Sequence, residues 1–541
     1  MSTRQYVGAR YVPKFADPIS WNKEYSYEAL TIVTHLNNSY TSKKAVPPNT
    51  DINNEAYWVL TGNFNSQVEE YRKATEILSE NVEEYRKATE MFSENFIVLS
   101  SNGGNGDGVT DNTTAINSLI TSIGSKQDSI WITKGSYLIS GSVTIPSNIN
   151  LHFDGGELII ANTGNLTING QIISPLYKIF DVEGNLGINK DKNTTGYPEW
   201  FDNNVNLALK YFKCVELQSK DYIVNDNLII NDNNITLRGV AYSTFFGNSG
   251  GSRLLLNGNC RIIVGNVSDN DIIKFARNIT LENFEIAQTN NTQDYALSVY
   301  GVVYGRFKNL TVSVGGGNKY GVYCTKNVST IYESCRVQTV NNTTTFAGFY
   351  LTDSGNPVAA GGNASIYFNN CTVSSSTSET GTSFGWLLNG ACSDTFLNGC
   401  ETSETSYGFA IEGTAVVNGA NDILMNNCVF DACTTHCISI SNITVNGAIC
   451  ISNSYMTKDA THNINQSCLY LENCKASVSI SNTQIISLNN ANIGLQINGN
   501  STLTGYGIIA NGMNTPFLNS GTTNTVYCQY MHDGTLTTVS S

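Results

Sequence analysis

The chain lacks any long hydrophobic run. No stretch of about 18 apolar residues occurs in its 541 residues, so no helix is expected to span a membrane. The opening, MSTRQYVGARYVPKF, lacks the apolar centre of a secretory signal, and the thiols are therefore expected to stay reduced. Basic residues are scarce. Lys and Arg number 30 against 44 Asp and Glu, for a formal net charge of −14. That balance argues against a nucleic-acid partner, which would want a basic stripe. Charge of either sign is only 14%, yet 40% of residues are hydrophobic, so an ordered core is expected. Proline is rare at 9 and glycine common at 47, which suits many short strands with tight turns. Paired zinc-ligand spacing is missing among the 14 cysteines, all of which follow residue 213. Cys433-x-x-x-Cys437 with His436 is the nearest approach, but no second ligand pair accompanies it. No metal and no cofactor are expected.

Gly and Pro are both absent from Val68 to Asn95. There VEEYRKATEILSEN (68–81) returns at once as VEEYRKATEMFSEN (82–95), with 12 of 14 positions identical. Fourteen residues are two heptads. With Val68 at position a, that column reads Val68, Thr75, Val82, Thr89 and Phe96. The d column reads Tyr71, Leu78, Tyr85, Phe92 and Leu99, with charged residues between. A seam at 3.5 residues per turn faces partner helices. Residues 64–96 are therefore expected to form a short coiled-coil neck in an oligomer.

Ahead of it, residues 1–63 are rich in Trp and Tyr. ALTIVTHLNNSYTSKK reads as two strands around Asn37-Asn38. The pattern WNKEYSYEALTIVTHLNNSYTSKKAVPPNT…YWVLTG resembles small chitin-binding-type carbohydrate-binding modules. That resemblance implies sugar-stacking roles for Trp21, Tyr40 and Trp58. The competing expectation is that these rings fill the core of a very small domain.

Residues 97–214 begin with a strand, a Gly-rich turn and a helix, with Asp111 expected at the helix N-cap. No P-loop lysine accompanies the turn. The matches GDGVTDNTTAI (106–116) and GSYLIS (135–140) resemble the entry of the pectate-lyase-like right-handed parallel β-helix superfamily. There the Asp residues shape a cap and are not catalytic. A second lead-in, YPEWFDNNVNLALKYF (197–212), is followed by VELQSKDYIVNDNLIINDNNITLRG, with Tyr222 matching Tyr137. The β-helix proper is expected from about 215 to 505, and a tip from 506 to 541.

Within that body short strands recur around polar turns. Aligning them places Cys335, Cys371, Cys400, Cys428, Ser454 and Cys474 in one column, at intervals of 36, 29, 28, 26 and 20 residues. This is solenoid spacing. Like residues stack coil on coil, so the cysteines fill an interior stripe and the preceding Asn residues form a turn ladder. The two longest intervals are expected to bulge as loops on one face, carrying Tyr350, Asp353 and Trp386. With each Cys inward, residues one and three later point outward. The first outward column reads Arg336, Thr372, Glu401, Val429, Tyr455, Lys475; the second reads Gln338, Ser374, Ser403, Asp431, Thr457, Ser477. Glu401 and Asp431 then lie on neighbouring coils, with Cα atoms roughly 8 Å apart. Glycosidases hold their two carboxyls about 5–9.5 Å apart, one protonating the glycosidic oxygen and one activating water or attacking. Glu404 and Asp353 are reserve acids. Arg336, Tyr350, Trp386 and Tyr455 are candidate substrate contacts. Exposed carboxylates on an acidic protein are otherwise ordinary solvated surface.

The GHG and paired Asp signatures of polygalacturonases, and the calcium-binding acids with an Arg base of pectate lyases, are missing. In layout the chain resembles bacteriophage tailspikes. That resemblance implies a mainly β, right-handed parallel β-helix with a small N-terminal all-β module and a trimeric coiled coil. It further implies a homotrimer in the virion tail, made in the host cytoplasm and docked to tail or baseplate proteins through the N-terminal module. It would recognise, and by a lean of the acids also depolymerise, a host surface polysaccharide, by hydrolysis rather than elimination. The alternatives are a glycan-binding spike without catalysis and a purely structural appendage.

Overall fold

The computed structural model describes residues 19–240, 250–266, 272–288, 294–315, 319–342, 345–352, 362–377, 381–390, 392–412, 421–444, 446–460, 465–521 and 523–541. The chain divides into two compact units, 1–97 and 98–541.

The first unit holds a four-stranded sheet and a long helix. Strands Ile32–His35 and Asn38–Ser42 pair antiparallel, and the turn between them is Leu36–Asn37, one residue earlier than the Asn pair suggests. Both turn residues have positive φ, 47° and 61°, the pattern that matches the twist of a two-residue hairpin. Trp58 is only 2% exposed and packs with Tyr27, Val33, Val46 and Ile52. It is therefore a core residue and cannot stack on a sugar. Trp21 and Tyr40 lean half-buried against the same cluster. So small a module needs its largest rings to exclude water. The helix spans Phe64–Asn95. Glu69–Arg72, Arg72–Glu76 and Glu83–Arg86 ion pairs line its surface. The heptad columns stop with the helix: Leu99 is fully buried, its amide donating to the Trp131 carbonyl in the second unit.

The second unit opens on the Gly-rich entry. Asp107 accepts bonds from the Val109 and Thr110 amides, closing a local turn. The helix runs Thr113–Ile123 with Asn112 at its N-cap, so Asp111 sits one residue before the expected position. Asp111 still serves the helix start, accepting from the Thr113 amide and hydroxyl and the Ser140 amide. Burial opposes its ionisation, but these bonds prevail and hold its carboxyl at about 2. Both acids shape the cap.

Beyond this entry the chain is a parallel β-helix. Among the described residues one sheet has 24 strands and another 11, and nearly every pairing in them is parallel. Each coil contributes three strands. The first joins the 11-stranded sheet; the second and third join the larger sheet. One coil runs Tyr320–Thr325, Val328–Glu333 and Arg336–Asn342; the next runs Phe346–Thr352, Asn363–Asn369 and Thr372–Thr377. The corner between second and third strands needs a left-handed residue. Asn309, Ser334, Asn370, Gly399, Asn427, Asn453, Asn482 and Gly507 all have φ between 48° and 63° there. Asn tolerates this region because its short amide bonds locally. Here the amides also bond coil to coil, as from Asn309 to Asn283, Asn453 to Asn426 and Asn482 to Asn453.

Directly after that corner lies the cysteine column. Cys335, Cys371, Cys400 and Cys428 are buried, and their thiols point at the carbonyls of Phe307, Tyr332, Phe368 and Leu397. Burial pushes the Cys371 thiol well up. Cys474 is buried too but belongs to another corner. Tyr455 pairs with Gln484, so Thr483 follows Ser454 in the column, and Gln484 and Ile486 replace Lys475 and Ser477 outside it. The 20-residue interval was a misalignment of corners. All 14 cysteines are free, and only Cys214 and Cys450 are partly exposed. A thiol reagent should therefore label those two in the native protein and the others only after denaturant. Rapid native labelling of Cys371, Cys400 and Cys428 would contradict the register.

The long intervals hide the first strand of each coil. Tyr350 and Trp386 lie on the strands Phe346–Thr352 and Ser383–Asn389, not on loops. Trp386 is 0% exposed and stacks on Phe349 at 5.5 Å inside the coil. It is removed from the sugar-contact set. Its indole N–H has no hydrogen-bond partner. Trp386→Ala should cost about 3–5 kcal/mol of stability. Trp386→Phe should cost far less, since it keeps a ring and deletes the unpaired polar group. Equal midpoints for the two variants in denaturant unfolding would argue against this placement.

The segment read as a tip continues the solenoid. Thr502–Asn511 pairs in parallel with Thr525–His532, and only Thr535–Ser540 turns back antiparallel, covering the last edge.

Candidate functional site

Two outward faces of the solenoid carry side chains of interest, and the sequence reading mixed them. On the third-strand face, one line of directly paired residues runs Asp221, Arg253, Glu285, Thr311, Arg336, Thr372, Glu401, Val429, Tyr455 and Gln484. Parallel pairing holds neighbours about 4.8 Å apart, so the line extends roughly 40 Å. Beside it runs Ser313, Gln338, Ser374, Ser403, Asp431 and Thr457. All but Val429 are polar, aromatic or charged, and of these Glu285, Thr311, Gln338 and Thr457 are buried. The interior residue between the two lines is apolar or small, as with Val337, Val373, Thr402 and Phe430.

Side chains on this face bond along the axis. Arg253 grips Asp221 with two bonds, 2.8 and 2.7 Å. Arg253 holds the Asp221 carboxyl below its usual range. The Ser313 hydroxyl donates to Glu285 at 2.8 Å, and the Gln338 amide donates to Ser313 at 2.7 Å. Further along, the Thr457 hydroxyl donates to the Asp431 carboxylate.

Glu401 and Asp431 are both exposed. Ser403 lies directly opposite Asp431, which places Glu401 one coil and two residues away. Glu404 is exposed at the following corner with φ 57°, its amide donating to the Asp431 carbonyl at 3.3 Å. Arg336 and Tyr455 are half-buried, on the same line as Glu401 but two coils to either side. Asp353 lies outside the described residues.

Tyr350 belongs to the other face, on the 11-stranded sheet. There Tyr320 and Tyr350 stack at 4.2 Å, Phe384 and Tyr407 at 4.7 Å, and His436 and Tyr470 at 4.8 Å. Phe384 is buried with Ala347, Leu387 and Ala410, and Tyr320, Tyr350 and Tyr407 pack against this cluster. Rings stacked along the axis cover one another's faces and turn edges and hydroxyls outward. Tyr350 is therefore placed for hydrogen bonding more than for ring stacking on a sugar. Burial holds the Tyr320 phenol up at about 12. Glu412 sits at the end of this face, its carboxyl raised by burial.

His436 donates from Nδ1 to the Ser467 carbonyl, 2.7 Å away, and burial depresses it to about 4. Cys433 and Cys437 are fully buried beside it. Among the described residues no group of three His, Cys, Asp or Glu is placed to hold a metal ion.

The sequence reading missed Asp221, Arg253 and Glu285, because it started the columns at Cys335. The alternation in DYIV, RLLL and FEIAQ was available to extend them. It also missed the first-strand motif of YGVY, FAGFY, SFGW and YGFA. Its glycine is fixed by packing: a Cβ on Gly385 would meet Thr402 Cγ2 at 2.2 Å.

No family model matches the chain. No curated protein matches it. Among solved structures, the A-module of the Azotobacter vinelandii mannuronan C-5 epimerase AlgE6 aligns at 12% identity, covering 79% of this chain and 98% of that one, with a TM-score of 0.34. The catalytic unit of a GH87 alpha-1,3-glucanase from Streptomyces thermodiastaticus aligns at 11%, covering 80% and 69%, TM-score 0.29. Tailspike protein 3 of bacteriophage CBA120 aligns at 13%, covering 96% and 78%, TM-score 0.19. These likenesses are remote, and the fold rests on the strand register itself. That register makes this chain a parallel β-helix protein.

Proposed function

We propose that this chain is a trimeric spike that recognises a bacterial surface polysaccharide along its third-strand face. One observation carries the reading: from Arg336 to Gln484 the line presents guanidinium, hydroxyl, carboxylate and amide groups at the surface, interrupted by Val429, repeating at the coil spacing. A polysaccharide is a repeating polymer of hydroxyls, and such a line offers it periodic hydrogen-bond partners. The neck helix supports the trimer, and the front module suits attachment to a phage tail in the virion. Full-length protein should bind at least one polysaccharide in a panel of capsular and wall glycans. Absence of binding across a panel drawn from a susceptible host would overturn the proposal.

A second reading, cleavage by hydrolysis, is favoured by the Glu401 and Asp431 pair. One would give a proton to the glycosidic oxygen while the other activates water or attacks the anomeric carbon. Release of reducing ends from a bound polysaccharide would separate it from recognition alone.

A further inference from the structure

A cavity of about 440 Å³ in the second unit lies apart from Glu401 and Asp431, at the corner after the YPEW segment. Its size falls within the range of ligand pockets. Asp202, Asn203, Lys220, Ile223, Asn225 and Asp226 line it. The corner is held in an unusual backbone. Asp202 and Asn203 are consecutive left-handed residues, with φ of 54° and 64°. Non-glycine residues persist there only when their surroundings over-determine them.

An ion pair between partly exposed Lys220 and buried Glu199 braces Asn203. Glu199 is only 7% exposed. Lys220 Nζ meets its Oε1 at 2.7 Å and also bonds the Asn203 side chain. The Tyr222 hydroxyl donates to the same Oε1 at 2.7 Å, and burial with that bond keeps the phenol protonated. Glu199 Oε2 has no hydrogen-bond partner although it is buried. Native structures seldom leave such an atom unpaired without a reason. The pair thus braces the strained corner at the cavity wall through Lys220 and Asn203, while Glu199 itself lies behind the lining.

The lining has the character of a sugar ring. Ile223 is 64% exposed and offers an apolar patch. Around it stand amides and carboxylates, which hydrogen-bond hydroxyls. Charge selects further. Among the described residues lining it, Lys220 is the one cation and is committed to Glu199, and Asp221 is committed to Arg253. Asp202 and Asp226 remain as net negative charge facing the cavity.

We infer that this cavity binds a single neutral or amino sugar residue and disfavours an acidic one. The site stands on its own geometry, so it survives if the third-strand face proves not to bind glycan. The test uses the full chain and saturation-transfer NMR with glucose, N-acetylglucosamine, glucosamine and glucuronate as probes. Asp226 and Asn225 are exposed, so Asp226→Ala should keep the wild-type unfolding midpoint, and Asn225→Ala, which loses one exposed bond from the Asn257 amide, should lower it only slightly. At least one neutral or amino sugar should bind, glucuronate should not, and each variant should weaken binding about tenfold, the worth of one lost hydrogen bond to a charged or polar partner. No binding by any of these sugars, preference for glucuronate, or undiminished binding in both folded variants would each overturn the inference.

Discussion

Leu78→Asp together with Phe92→Asp is expected to leave the intact chain monomeric at micromolar concentration. In a single chain Val68, Tyr71, Leu78, Val82 and Tyr85 are 59–76% exposed. A row of large apolar groups on a helix with no Gly or Pro is covered when copies pack seam to seam. Each substitution puts a carboxylate into that seam, which costs several kcal/mol per copy without a partner. The threonines at position a make the seam weak to begin with, so two such insults should suffice. Phe92 is assigned by heptad position, its side chain lying outside those described. Light scattering decides the matter. A monomeric wild type, or a double variant that keeps the trimer mass, would contradict the neck.

Glu401→Gln and Asp431→Asn should each lower glycan hydrolysis about 100-fold or more, the usual loss on removing a general acid or base. The neutral isosteres keep the shape of the face, so binding should persist. Asp431→Asn also retains an oxygen able to accept the Thr457 hydroxyl, which preserves its position. Unchanged hydrolysis in both variants would remove the pair from the site and direct attention to Glu404 and Asp353.

Much of this architecture was legible because a solenoid writes one constraint many times. The cysteine column and the left-handed Asn corner each recur coil after coil, so four correct alignments located the interior and the outward lines. The same repetition misled at Cys474, where a similar corner one strand away took the place of Thr483. Trp386 was misplaced for a different reason. A buried first strand such as SFGWLLN shows no clean alternation, since most of its residues are covered, and it reads as a loop when only interval length is considered. Trp58 shows the matching problem in a small domain, where an aromatic can serve the core or a ligand and composition does not distinguish the two. The Glu199–Lys220 pair was beyond the sequence, because it depends on a corner geometry set by residues more than 20 positions apart.

The most direct test of the central claim compares polysaccharide binding by the wild type with that of two bulky substitutions. Thr372→Trp would stand on the proposed line, between Arg336 and Glu401. Ser479→Trp would stand on the second-strand face, between Cys450 and Thr504. The account predicts that the first weakens binding at least about tenfold, through steric loss of several periodic hydrogen bonds, while the second leaves it unchanged. Equal affinities for all three proteins, or loss confined to Ser479→Trp, would contradict it.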